Sequence, residues 1–241
     1  MRKHFLVLVL AWASCGGSDK KDTATAGKRS QEQPASLRQR MHSHFVTLSQ
    51  AKSAVVEGKL ANAKKAAAAV WPEQNDGEVP DGWAPYIESI KGSLGLLQGA
   101  TEIETAAQAV SAIGRACGDC HQSLGLQTLG PESTSPPPAE SMGDYMRLHQ
   151  WASDRMWEGL VGPSDDAWKS GANALATPLS PDKIPEEVLV KPGMDSLVRR
   201  IGQLSKAAAE PDLSGPTRQR IYGEFLGSCA RCHQSFLENT D

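Results

Sequence analysis

Apolar residues recur every three or four positions in two stretches of the chain, which is the spacing of one face of an α-helix. The second stretch repeats the first at a constant offset of 101 residues. The first series is Met41, His44, Phe45, Leu48, Ala51, Val55, Glu57 and Gly58, and the second is Met142, Tyr145, Met146, His149, Ala152, Met156, Glu158 and Gly159. The pattern predicts two similar helices, each ended by a glycine in a left-handed C-terminal cap.

Three more segments of helical periodicity follow in each half, and no segment sustains the strict alternation of a β-strand. They cover about 60–70, 84–97 and 102–121 in the first half, and about 165–176, 193–209 and 216–236 in the second. Thr101 and Ser214 are candidate N-caps of the last helices. Four helices per half, with short connections, predict an all-α protein built from two antiparallel four-helix bundles in tandem.

The predicted boundaries follow changes in composition along the chain. They give a signal peptide at 1–14, a flexible tether at 15–35, a first bundle at 36–126, a proline-rich linker at 127–138 and a second bundle at 139–241. The linker carries prolines at 131, 136, 137 and 138, which neither continue a helix nor pair in a sheet. Because the sequence suggests no other connection, each half is expected to respond to substitutions on its own.

The first residues are typical of an export signal, with a basic start, the apolar run Phe5–Ala11 and small residues before Cys15. The position of Cys15 resembles that in bacterial lipoprotein signals, where the cysteine is lipidated and becomes the N-terminus. This resemblance implies a lipid anchor on the periplasmic side of the inner or outer membrane. The alternative is ordinary cleavage nearby, which leaves Cys15 as a free thiol or removes it.

The composition narrows the possible partners. The formal net charge is −3 over 241 residues, which excludes the strongly basic surface of a nucleic-acid-binding protein. No internal run approaches the ~18 apolar residues of a membrane-spanning helix. The expected partners are therefore other proteins of the cell envelope, with the membrane reached through the lipid anchor.

Two Cys-x-x-Cys-His motifs carry the chemistry: Cys117-Gly118-Asp119-Cys120-His121 and Cys229-Ala230-Arg231-Cys232-His233. This spacing is that of c-type haem attachment. The two thiols reach the two vinyl groups of the macrocycle and form thioethers, and the following imidazole becomes an axial iron ligand. The sequence therefore predicts two covalently bound haems c, with His121 and His233 as proximal iron ligands.

Three other interpretations of the motif explain the sequence less well. A zinc site would need further Cys or His ligands at a paired spacing. A thioredoxin-like dithiol would need a βαβ context, which the sequence lacks. A structural disulfide in each Cys-x-x-Cys would leave both histidines without a role.

Each motif lies near the end of the last helix of its half, and this placement resembles that in the cytochrome c′ (class II) family. The resemblance covers about residues 36–126 and 139–238, and it implies four-helix bundles with the haem near the end of the fourth helix. The chain departs from the single-domain members of that family because it is a tandem. In the family, the helix-one residue opposite the proximal histidine determines what occupies the distal face of the haem.

In such a bundle the start of helix one lies beside the end of helix four. Met41 and Met142 occupy equivalent first-turn positions and are the first candidates for distal ligands, although methionine at helical spacing is also common core filler. His44 and His149 are the alternatives.

The predicted function is that of a dihaem c-type cytochrome, an electron carrier rather than an enzyme. The alternatives are a gas-binding protein with open distal faces, which would take NO or CO, and a peroxidase, for which no distal acid or base is singled out.

Overall fold

The computed structural model describes residues 35–70, 82–126, 135–177 and 185–237. Within these ranges the chain is helical and contains no strand, which confirms the all-α prediction. The predicted signal peptide, Cys15, nearly all of the tether and linker residues 127–134 lie outside the described residues. None of the helices in the described ranges has the length and apolarity needed to cross a bilayer.

The helices match the segments predicted from periodicity, with one addition. The short helix Glu186–Leu189 follows a proline and was not predicted. The helices are α1 Ala35–Val56, α2 Leu60–Ala68, α3 Ala84–Gly99, α4 Ile103–Ser123, α5 Met142–Val161, α6 Asp165–Leu175, α7 Glu186–Leu189, α8 Met194–Ala209 and α9 Gly215–Leu237.

The predicted caps hold at some helix ends and fail at others. The Ser214 hydroxyl accepts a hydrogen bond from the Thr217 backbone N–H at 3.3 Å, as expected of an N-cap. The N-cap of α4 is Glu102 rather than Thr101, and it makes no side-chain cap bond. Gly58 ends α1 with a left-handed φ of +73°. Gly159 does not end its helix, because α5 continues to Val161.

Helices of the two halves pack against each other. In the first half α1 contacts α2, α3 contacts α4, and α4 then lies along α9 of the second half. Two further pairs join the halves, since α1 contacts α9 and α5 contacts α4. The described helices form one compact unit, so the expectation that only the linker joins the halves is wrong.

Two buried side chains illustrate this junction. Trp157 of α5 is 1% exposed, and its indole N–H donates to the Ser49 hydroxyl of α1 at 3.2 Å. Its ring lies so close to Gly114 of α4 that a Cβ there would stand 2.4 Å from a ring carbon. Lys52 of α1 is 2% exposed and forms an ion pair with Asp154 of α5. Apolar packing and a charge pair therefore both connect the two halves.

Candidate functional site

The two motifs occupy the last turns of α4 and α9, as the sequence predicts. All four motif cysteines are free thiols in the structure. Burial raises the pKa of Cys117 to about 12, with a further contribution from the nearby Cys120, and burial together with Cys232 does the same for Cys229. The thiols are thus protonated and unpaired, the state from which a thioether can form.

The second motif faces a cavity of about 580 Å³, within the size range of sites for small molecules and cofactors. Cys229, Cys232 and His233 line it from α9. The same cavity is lined by residues of α5 and α8, which include Met142, Tyr145, Met146, His149, Met194, Leu197 and Ile201. The structure therefore brings the second motif together with both distal candidates of that half, Met142 and His149.

His149 is the most unusual residue of the cavity wall. It is 8% exposed, and within the described part of the chain its Nε2 atom is buried without a hydrogen-bond partner. A buried polar atom left unsatisfied costs about 1–3 kcal/mol. Burial lowers the pKa of His149 to about 4, so the imidazole is neutral and a nitrogen lone pair is available. The Tyr145 ring packs at a centroid distance of 4.1 Å and restricts its orientation.

Met142 and Met194 contribute thioether sulfurs to the same cavity. Met142 is the first residue of α5 and is only half-buried. Met194 begins α8, is 1% exposed, and its Sδ atom lies 3.7 Å from the Cys232 Sγ atom. Sequence reasoning missed Met194, because the search for ligands was confined to the first helix of each half. Its place directly after Pro192 and Gly193, where a helix can begin, was the available signal.

The histidine of the first motif is oriented by a hydrogen bond. The Nδ1 atom of His121 hydrogen bonds to the Val161 carbonyl oxygen of α5 at 2.8 Å. When this ring nitrogen carries the proton, Nε2 is left as the metal-binding atom, the usual arrangement for ligating histidines. The approach depends on Gly118, because a Cβ at that position would lie 2.2 Å from the Leu160 carbonyl oxygen. The second half thus positions the histidine of the first.

The distal candidates of the first half have different surroundings. Met41 and His44 are both half-buried on α1. Burial lowers the pKa of His44, with a smaller contribution from the positive charge of Arg40. The residue equivalent to His149 is Leu48, which is 3% exposed. Of these two equivalent buried positions, only that of the second half therefore carries a nitrogen donor.

The donor set of the second site fits a c-type haem. An apolar wall, two free thiols, a following histidine and an orphaned imidazole nitrogen face one cavity. Arg147 and Lys206 also line the cavity, and their positive charges would suit the two carboxylates of a haem. In the ranges that the structure describes, no three His, Cys, Asp or Glu side chains form a cluster able to hold a bare metal ion.

Comparisons with protein-family models, with curated proteins and with solved structures return no match. The interpretation of the site therefore depends on its own residues and their geometry.

Proposed function

We propose that the protein is a dihaem c-type cytochrome that carries single electrons in the bacterial cell envelope. The cavity of the second half is the observation that most supports this. Cys229, Cys232 and His233 face it from α9, while His149 faces it from α5. Two thiols and the imidazole that follows them, lining one cavity, are the groups that would hold a haem covalently and bind its iron.

The bound haem would supply one-electron chemistry at its iron. The chain holds it through Cys117 and Cys120 in the first half, and through Cys229 and Cys232 in the second. His121 and His233 serve as proximal ligands, and the Val161 carbonyl fixes the ring of His121. The apolar walls from α5 and α8 limit access of water, which is one of the means by which a protein sets a haem potential.

The proposed cellular location follows from the N-terminal segment. The proposed protein is exported, lipidated at Cys15 and held at the periplasmic side of the inner or outer membrane, where it exchanges electrons with redox partner proteins. A Cys15→Ser variant should move from the membrane fraction to the soluble periplasmic fraction. Partitioning of the variant into membranes as strongly as wild type would contradict the anchor.

A second candidate function has one observation in its favour. Leu48 stands where the second half has His149, so the first haem would face an apolar side chain at that depth. An iron with no distal ligand takes up gases such as NO or CO, and a peroxidase would in addition need an acid or base beside it. Gas binding at the first site is therefore the alternative to electron transfer at both.

The optical spectrum of the ferrous protein, recorded with and without carbon monoxide, separates the two functions. The protein would be produced in a host with haem-attachment machinery. An electron carrier with both irons saturated should show the same α-band after the gas is added. A shift that titrates to one or two equivalents of carbon monoxide per chain would favour gas binding.

A further inference from the structure

We propose that His149 is the second axial ligand of the haem held by Cys229 and Cys232, and that the first half has no histidine ligand at the equivalent position, where Leu48 stands. This inference rests on the proposed dihaem function and makes the two haems chemically different. It selects His149 over Met142, the candidate that repeat symmetry favours.

The placement of His149 is the first argument. His149 and His233 come from different helices, α5 and α9, yet they line one cavity together with the two cysteines of the second motif. Because the motif histidine is the proximal ligand, an imidazole on the facing helix approaches from the distal side. Val188 and Leu197 of the neighbouring elements line the same space and offer the iron no donor atom.

The unsatisfied nitrogen is the second argument. Buried polar side-chain atoms are nearly always hydrogen-bonded, and the exceptions require an explanation. Within the described residues the Nε2 atom of His149 has no such bond. Ser153, one turn further along α5, is engaged with Tyr222, whose hydroxyl lies 3.2 Å from the Ser153 hydroxyl. A bond to iron would satisfy this nitrogen.

The separation of the two candidates along α5 is the third argument. His149 follows Met142 by seven residues, which corresponds to about 10 Å along a helix that rises about 1.5 Å per residue. One iron therefore cannot bind both side chains. Met142 is half-buried at the helix start, and a thioether needs no partner in either water or an apolar pocket. The orphaned atom is the imidazole nitrogen of His149, so His149 is the residue that requires the iron.

The experiment compares His149→Ala with two controls, Met142→Leu in the same cavity and Leu48→Ala at the equivalent position of α1. The full chain would be loaded with haem in vivo and studied by electron paramagnetic resonance of the ferric form and by carbon monoxide titration of the ferrous form. Wild type and both controls should show one low-spin haem with bis-histidine character. His149→Ala should lose that signal and bind one more carbon monoxide per chain, and added imidazole should restore the signal.

Two outcomes overturn the inference: loss of the low-spin signal in Met142→Leu but not in His149→Ala, or no change in either. If His149→Ala does not accumulate, His149→Met carries the test, and it should convert the bis-histidine signal of one haem into a histidine–methionine signal. Persistence of the bis-histidine signal in that variant also overturns it. The haem count keeps the two proposals apart, because a chain without covalent haem contradicts the proposed function. Two covalent haems with an unchanged signal contradict the assignment of His149 alone.

Discussion

The two halves share a helix order and an attachment motif, but they differ in what faces the motif. In the second half α5 places His149 deep in the cavity wall, whereas α1 places Leu48 at the equivalent position. The proximal side differs too, since α4 has Gly118 between its cysteines where α9 has Ala230. A repeat can therefore keep the Cys-x-x-Cys-His motif while the residues around it diverge.

The shared Glu-Gly pair shows the same divergence at the level of the backbone. Gly58 adopts a left-handed conformation and ends α1. Gly159 remains helical, and a Cβ there would stand 2.6 Å from the Trp168 backbone nitrogen. The first glycine is needed for its conformational freedom and the second for close approach of α6 to α5. The same dipeptide thus has different structural roles in the two halves.

The largest expected effect comes from the aromatic side chain that joins the halves. Trp157→Ala should lower the free energy of unfolding by about 3–5 kcal/mol, because a fully buried indole and its contacts with α1 and α4 are lost. Its equivalent in α1 is Val56, and Val56→Ala should cost only about 1–2 kcal/mol. Denaturant titrations followed by circular dichroism measure both. Equal losses would mean that the junction contributes no more than ordinary core packing.

The next effect concerns Gly118, which directly follows the first cysteine of its motif. Gly118→Ala should destabilise the fold by about 1–3 kcal/mol, since the new methyl group collides with the Leu160 carbonyl and pushes α4 away from α5. Loss of the hydrogen bond from His121 to Val161 should also alter the absorption of the first haem. Ala230→Gly is the matched variant in α9, and it should cost about 1–2 kcal/mol through backbone entropy and the loss of one buried methyl group. A larger loss in Ala230→Gly would reverse the comparison.

A smaller effect is expected from the charge pair across the junction. Asp154→Ala leaves the buried ammonium of Lys52 without its partner, and unfolding free energy should fall by about 1–2 kcal/mol because Asp154 itself is half-exposed. Adding Lys52→Met should restore most of the loss, since no buried charge then remains. A double variant as unstable as Asp154→Ala would show that the ammonium makes other essential contacts.

The smallest effect concerns the first turn of α5, which carries Met142 and Tyr145 of the second cavity. The Ser141 hydroxyl accepts a hydrogen bond from the Asp144 backbone N–H at 3.1 Å, and Ser141→Ala should cost about 1 kcal/mol. Hydrogen bonding from Ser141, followed by the charge of Arg147, holds the pKa of Asp144 below its usual value. Asp144 therefore stabilises the fold above its unfolded pKa of about 4, and this contribution is lost as pH falls through the lower folded value.

Unfolding curves of wild type and Ser141→Ala, recorded across the acid range, test whether the contribution of Asp144 to stability is lost as the pH falls. The difference between the two proteins should shrink as the pH falls through that range. A difference that grows towards low pH would contradict it. The spectrum of the second haem should respond to this variant, and that of the first should not.

Periodicity and spacing were sufficient to predict the described helices other than α7, the position of the motifs and the contact of α5 with α9. They could not predict the packing between the two halves. Gly114 and Gly118 are important there because the absence of a side chain makes room for Trp157 and for the Leu160 carbonyl. They made Met142 the first candidate through repeat symmetry and His149 the alternative, since both lie on the same helix face. Burial and the lack of a partner for one nitrogen distinguish them, and both depend on tertiary packing.

Mass mapping of haem-bearing peptides from the mature protein tests the central claim most directly. We expect one covalent haem on the peptide with Cys117 and Cys120, and another on the peptide with Cys229 and Cys232. Both should resist extraction with acidified acetone. Cys229→Ser combined with Cys232→Ser should remove only the second. A protein that carries no covalent haem, or only haem that acid-acetone removes, would contradict the account.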